Sequence, residues 1–216
     1  MSETTSKKRK LSLPLVLAGG VSSLVLALGM SPTFSAFSAS ILNPTNTTGA
    51  GTLIMTETDS GTNICNSADS TSLATNSATC ATINKYGGNL VMVPGQTVNT
   101  TVNIKDTGTA NASSFSLTPG ICTQSANGNT SATAPTDLCS KIKIVITSGT
   151  HEIFNGTAAS FYTAGVIDVN IKLGASSIVA GAAATPFIFA VTLDSSVGNP
   201  YQGLKVSQPL TWTFGA

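Results

Sequence analysis

One segment of this chain alternates apolar and polar residues so regularly that only one of its faces can be buried. Across residues 96–106 (QTVNTTVNIKD), Val98, Val102 and Ile104 share one side, and the residues between them are polar. A period of two is that of a β-strand with one face on a core and one in water. Pro94-Gly95 before the segment favours a turn. The pattern therefore predicts a half-buried strand.

Short segments of the same character recur through the rest of the chain. Each is rich in β-branched or aromatic residues and is bounded by turn-forming residues, as in residues 51–57, 91–94, 113–117, 142–146, 166–173, 187–193 and 204–214. A short helix is plausible only in residues 174–184, which hold two glycines and can equally be a loop. The series predicts roughly eight or nine strands and an all-β fold, a jelly-roll-like antiparallel β-sandwich.

The amino-terminal part of the chain has the layout of a secretion signal. Four consecutive basic residues at 7–10 precede an uncharged apolar stretch at residues 11–30, and small residues follow. We predict a signal helix over residues 1–36, cut by signal peptidase between Ala36 and Phe37 or after Ser38. The 20-residue apolar stretch is also long enough to cross a bilayer, so a retained membrane anchor is the alternative. We expect no other contact with a membrane.

The part that follows the signal divides into an extension and a body. Residues 37–50 begin with a short apolar patch (FSASIL) and continue as a polar linker of Pro, Asn, Thr and Gly. We expect residues 51–216 to form one β-sandwich domain. Within it, residues 58–81 read as a polar insertion that contains two cysteines.

Four cysteines follow the signal, and an even number in an exported chain predicts disulfides. Three pairings are possible. The nearest neighbours along the chain are Cys65 with Cys80 and Cys122 with Cys139, and each of these bonds would close a local loop and stabilise the fold by about 3 kcal/mol. A zinc site is the alternative, but the chain lacks a C-x-x-C pair and its single histidine is distant in sequence.

Charge is scarce in this chain. Charged residues make up 9% of it, and residues 1–36 hold four of the ten basic residues and one of the nine acidic ones. The remainder carries six basic and eight acidic residues, too few to form a basic surface for a phosphate backbone. We therefore expect no nucleic-acid partner.

No arrangement of residues in the sequence demands catalysis. His151 begins the string HEIFN. The zinc-protease pattern H-E-x-x-H requires a second histidine at its last position, where this chain has Asn155. No G-x-S-x-G turn marks a nucleophilic serine, and no glycine-rich loop marks a phosphate site. We predict no catalytic residue, no metal ligand and no cofactor.

The order of several short motifs resembles that of the TasA/camelysin family of secreted proteins, whose precursors are cut by a SipW-type signal peptidase. The matching motifs are Lys7 to Leu13, the Ala36-Phe37 junction, Gly51 to Leu53, Pro94-Gly95, Asp106 to Gly108, and Asn199 to Gly203. The resemblance implies a secreted jelly-roll-like sandwich that forms fibres of the biofilm matrix. Some relatives are described as metalloendopeptidases. The four cysteines, the low charge and the insertion depart from the family's pattern.

These features predict a structural protein of the cell surface or extracellular biofilm matrix, a fibre subunit that assembles by β-strand addition. The expected donor is the apolar patch, Phe37, Ser38, Ala39, Ser40, Ile41 and Leu42. An extracellular camelysin-like metalloendopeptidase and a surface adhesion module are the alternatives. A retained anchor would tether the donor and contradict the fibre hypothesis.

Overall fold

The computed structural model describes residues 41–69 and 76–216. The predicted signal helix, the Ala36-Phe37 cut and residues 37–40 lie outside them. The chain divides into two compact units, residues 1–48 and 49–216. In the first, residues 41–48 form neither helix nor strand and are exposed. None of the helices in the described ranges has the length and apolarity needed to span a membrane.

The second unit is built almost entirely from β-strands. Eleven strands occur in the described residues: β1 Met55–Asp59, β2 Ile64–Asn66, β3 Thr97–Asp106, β4 Ser114–Pro119, β5 Thr123–Ala126, β6 Ile142–Ser148, β7 His151–Thr157, β8 Ile167–Asp168, β9 Thr185–Leu193, β10 Leu204–Ser207 and β11 Leu210–Gly215. Two short helices, α1 Ala158–Ala164 and α2 Val169–Leu173, join β7, β8 and β9. Three 3-10 turns lie at Ser67–Asp69, Leu138–Ser140 and Asn199–Tyr201.

The strands form two antiparallel layers. One is a six-stranded sheet in the order β2-β1-β3-β9-β6-β7. The other joins the three-stranded sheet β11-β4-β8 to the pair β10-β5, because β10 continues into β11 and β4 continues into β5. At the junction the Gly120 amide donates to the Pro209 carbonyl over 2.7 Å. This arrangement confirms the predicted all-β sandwich.

An aromatic cluster fills the space between the layers. Phe187 of β9 contributes a fully buried ring from the six-stranded sheet, and its centroid lies 5.7 Å from that of Phe115 on β4. Trp212 of β11 lies 5.3 Å from Phe115 and 4.9 Å from Phe187. Burial of such rings supplies much of the free energy of folding, since each removes a large apolar surface from water.

The alternation of apolar and polar residues predicted the long strands correctly. It failed where helix-capping residues determine the local structure. Residues 166–173 were expected to be one strand, but only Ile167–Asp168 is extended and a helix begins at Val169. The Asp168 carboxylate accepts the amide proton of Ile171 over 2.9 Å, and Gly174 ends the helix in the left-handed conformation. An N-cap and a C-terminal glycine thus outweigh the β-branched composition.

Other differences involve strand limits and strands that the pattern did not indicate. Residues 204–214 form two strands rather than one, because Pro209 lacks the amide needed to continue the ladder. Residues 91–94 are not a strand, and residues 174–184 contain no helix, only a bridge between Ile178 and Ala112. The strands β2 and β5 were not predicted, because their polar residues obscure the period of two.

Candidate functional site

A cleft of about 1240 Å³ runs along the last two strands of the second layer. Every residue from 203 to 214 lines it, which includes the whole of β10 and most of β11. The opposite wall comes from β1 and from residues 80–94, a segment without regular structure that we call the strap. The cleft therefore lies where the second layer ends.

Strand β11 has one free edge at this cleft. It pairs with β4 along its full length, and β10 pairs with β5. Within the described ranges, neither strand has a second neighbour in its sheet. The side chains of Leu210, Trp212 and Phe214 turn inward, and these three residues line the cleft. An unpaired edge of this kind can accept a further strand.

The strap is attached to the six-stranded sheet at both ends. Its first residue, Cys80, is bonded to Cys65 of β2, and just beyond its last residue the Gly95 amide donates to the Leu193 carbonyl over 2.8 Å. Between these points the strap turns at Gly87, whose φ is 78°. A Cβ atom there would lie 2.5 Å from Val98 Cγ1, so only glycine allows this close approach to β3.

A buried carboxylate joins the strap to both layers. Glu57 of β1 is 7% exposed, and its Oε1 lies 2.7 Å from the ammonium of Lys85 in the strap. The indole N–H of Trp212 donates to the same oxygen over 3.2 Å. The two charges neutralise each other, so the wall offers hydrogen bonds and apolar area rather than a net charge. Removing one partner would leave the other charge poorly compensated.

A second contact joins the strap to the junction of β10 and β11. The Tyr86 hydroxyl donates to Gln208 Oε1 over 2.6 Å. Gln208 Nε2 in turn donates to the carbonyls of Gly120 and Ala158, over 2.8 and 3.1 Å. Burial raises the pKa of Tyr86 well above its ordinary value, because the phenolate would lose its hydration.

The structure joins Cys65 to Cys80 and Cys122 to Cys139, the two local pairings that sequence proximity favours. No described cysteine is free, so none supplies a thiolate to zinc. Disulfides form and persist in oxidising compartments, and the two bonds indicate such an environment.

His151 lies at the exposed start of β7, away from helical geometry. In a strand, residues four positions apart are separated by roughly 13 Å, so the string HEIFN does not bring residues 151 and 155 to one metal. The Glu152 carboxylate instead accepts a hydrogen bond from the Asn155 amide over 3.0 Å. In the described part of the chain, no three His, Cys, Asp or Glu residues are grouped to hold a metal ion.

Of the predicted donor segment, the structure describes Ile41 and Leu42, which are 89% and 85% exposed. Sequence reasoning did not find Glu57, Lys85, Tyr86 or Gln208 as cleft residues. They are far apart along the chain, and no spacing rule relates them. One signal was available. Charged residues are rare in this chain, and a charge in an apolar setting needs a partner, so Glu57 and Lys85 could have been examined as a pair.

No protein-family model matches this chain, and no curated protein matches it.

Proposed function

We propose that this chain is a secreted structural protein of the cell surface or extracellular biofilm matrix, and that its subunits join by β-strand addition in the manner of the TasA/camelysin family that its sequence resembles. The observation that carries the proposal is the unpaired edge of β11 beside a large cleft. The two disulfides and the sequence of the amino terminus support export.

The free edge matches the proposed donor in length and chemistry. Strand β11 has six residues, and the apolar patch at residues 37–42 also has six. In an extended patch, Phe37, Ala39 and Ile41 fall on one face. That face can pack against the inward side chains of β11 while the backbone completes the ladder. The cleft would then be closed by the chain of a neighbouring subunit.

The linker between patch and body gives the donor its reach. Residues 43–48 are exposed and form no regular structure. Six extended residues span roughly 20 Å, which is enough to place the patch on a second copy. Cleavage at Ala36-Phe37 would free the patch from the membrane, so export and assembly would be linked by one cut.

Deletion of residues 37–44 from the mature protein tests the proposal. We expect this variant, produced without residues 1–44, to stay folded and to form no fibres under the electron microscope, because the donor is lost while the sandwich is untouched. N-terminal sequencing of the wild-type protein locates the cut in the same sample. Fibres of normal length from the deletion variant, or a retained apolar anchor, would contradict the proposal.

A matched pair of point variants separates the donor from the linker. Ile41→Asp places a charge on the face that enters the cleft, and we expect it to abolish fibres. Asn46→Asp places the same charge in the linker, and we expect fibres of wild-type length. Among the described residues no specific observation favours a metalloendopeptidase or an adhesion module, so neither is proposed.

A further inference from the structure

The strap faces β11 across the cleft and does not pair with it. In the described ranges, no backbone hydrogen bond joins residues 80–94 to β10 or β11. The contacts across the cleft use side chains: Tyr86 to Gln208, Lys85 through Glu57 to Trp212, and the Asn127 amide to the Leu90 carbonyl over 3.2 Å. A cover held in this way can leave without breaking a strand ladder.

The second half of the strap, residues 90–93, is held less firmly than the core. Leu90, Val91 and Val93 are 54%, 83% and 62% exposed, so much of its apolar side-chain area contributes little to burial. The first half of the strap is held more firmly, because Ile83 is 7% exposed and Tyr86 packs against the core. Segments with few buried contacts open at lower free energy than the core.

We propose that the strap is a displaceable cover of the β11 edge, which opens about its two attached ends to admit an added strand. The Cys65–Cys80 bond at one end and the Gly95–Leu193 hydrogen bond at the other keep the opened strap on the molecule. This inference rests on the proposed function for the identity of the incoming strand. Opening itself is a property of the single chain.

The consequence is regulation of assembly. A binding site that is open only part of the time has an apparent affinity reduced by the open fraction. While the strap is closed, the edge of β11 is shielded from chance pairing with other strands. Weakening the strap should therefore favour both opening and strand addition.

The single tryptophan of the chain, Trp212, reports on the strap because its indole N–H and the Lys85 ammonium bind the same Glu57 oxygen, and it is 9% exposed. We would measure acrylamide quenching of its fluorescence in the exported protein, at a concentration where it is monomeric. Tyr86→Phe removes the hydrogen bond to Gln208, and we expect the open fraction to rise about tenfold and quenching to increase. Tyr162→Phe, at an exposed position of α1, is the matched control and should leave quenching unchanged.

The second measurement adds a synthetic peptide of residues 37–48 as the probe. If the strap competes with the added strand, the peptide should bind Tyr86→Phe up to about tenfold more tightly than wild type. Lys85→Met, which removes the ion pair instead, should have the same direction of effect. Circular dichroism checks that each variant stays folded.

The outcomes separate the two proposals. Peptide binding with equal affinity to wild type and both strap variants would leave strand addition standing and overturn the cover. If the peptide binds neither wild type nor the strap variants, the proposal of strand addition by this segment is wrong. The quenching measurement then tests by itself whether the strap opens. If quenching increases in neither Tyr86→Phe nor Lys85→Met, the proposal that the strap is a displaceable cover is wrong.

Discussion

Strand β9 and the strap lie in the same domain but are held in different ways. β9 is hydrogen-bonded to β3 along one edge and to β6 along the other, and its inward rings Phe187 and Phe189 are fully buried. The strap has side-chain contacts across the cleft and no backbone pairing there. Backbone ladders with buried side chains set the stability of the whole domain, whereas a segment held by a few polar contacts can move on its own.

The largest effect should come from the centre of β9. Phe187→Ala removes a ring that contacts Phe115 and Trp212, and we expect a loss of about 4 kcal/mol in the free energy of unfolding, from lost burial and a cavity. Urea unfolding measures it. Ile188→Ala, one residue along and 42% exposed, is the control and should cost far less. Similar losses at both positions would contradict the two-faced arrangement of β9.

The two disulfides offer the next comparison. The Cys122–Cys139 bond links the residue before β5 to the 3-10 turn before β6, and replacing both residues with serine should cost about 3 kcal/mol by the chain-entropy argument. The Cys65–Cys80 bond closes a loop of similar length but attaches the strap. Its removal should cost less in global unfolding, because the strap can open first. A larger loss at Cys65–Cys80 would show that the strap is part of the cooperative core.

The buried ion pair should have a smaller effect on stability. Glu57→Gln leaves the Lys85 ammonium without its counter-charge, and we expect a loss of about 2 kcal/mol, less than for a fully enclosed pair because the cleft admits water. Adding Lys85→Met to this variant should recover part of the loss. If the double variant loses as much free energy of unfolding as the two single variants together, the two residues are not energetically coupled.

The smallest effect is a pH dependence that arises from the strap. The pKa of Tyr86 is raised above its ordinary value of 10.0, so its contribution to stability is complete below that pH and declines as the pH rises further. Between about pH 10 and pH 11 the loss should be about 1 kcal/mol. Comparing urea unfolding of wild type and Tyr86→Phe isolates it, since lysine titration is common to both. Equal slopes would place Tyr86 in water in the folded protein.

The main strands could be predicted because their period is local. Val102 and Ile104 alternate with polar residues in β3, and the structure buries both. The helix at Val169–Leu173 was missed because the capping Asp168 competes with the β-branched residues around it, and composition alone does not weigh the two. The unpaired edge of β11 could not be predicted, because whether a strand has one neighbour or two is decided by segments remote in the chain.

The sequence by itself determined the all-β class, the even set of cysteines and the apolar patch ahead of the body, since each depends on residues close together in the chain. Tertiary structure alone decided which strands are neighbours, and so where the second layer ends. It also brought Glu57 of β1, Lys85 of the strap and Trp212 of β11 to one point. The physical reason is that burying a charge requires a partner, and the fold can supply it from any distance along the chain.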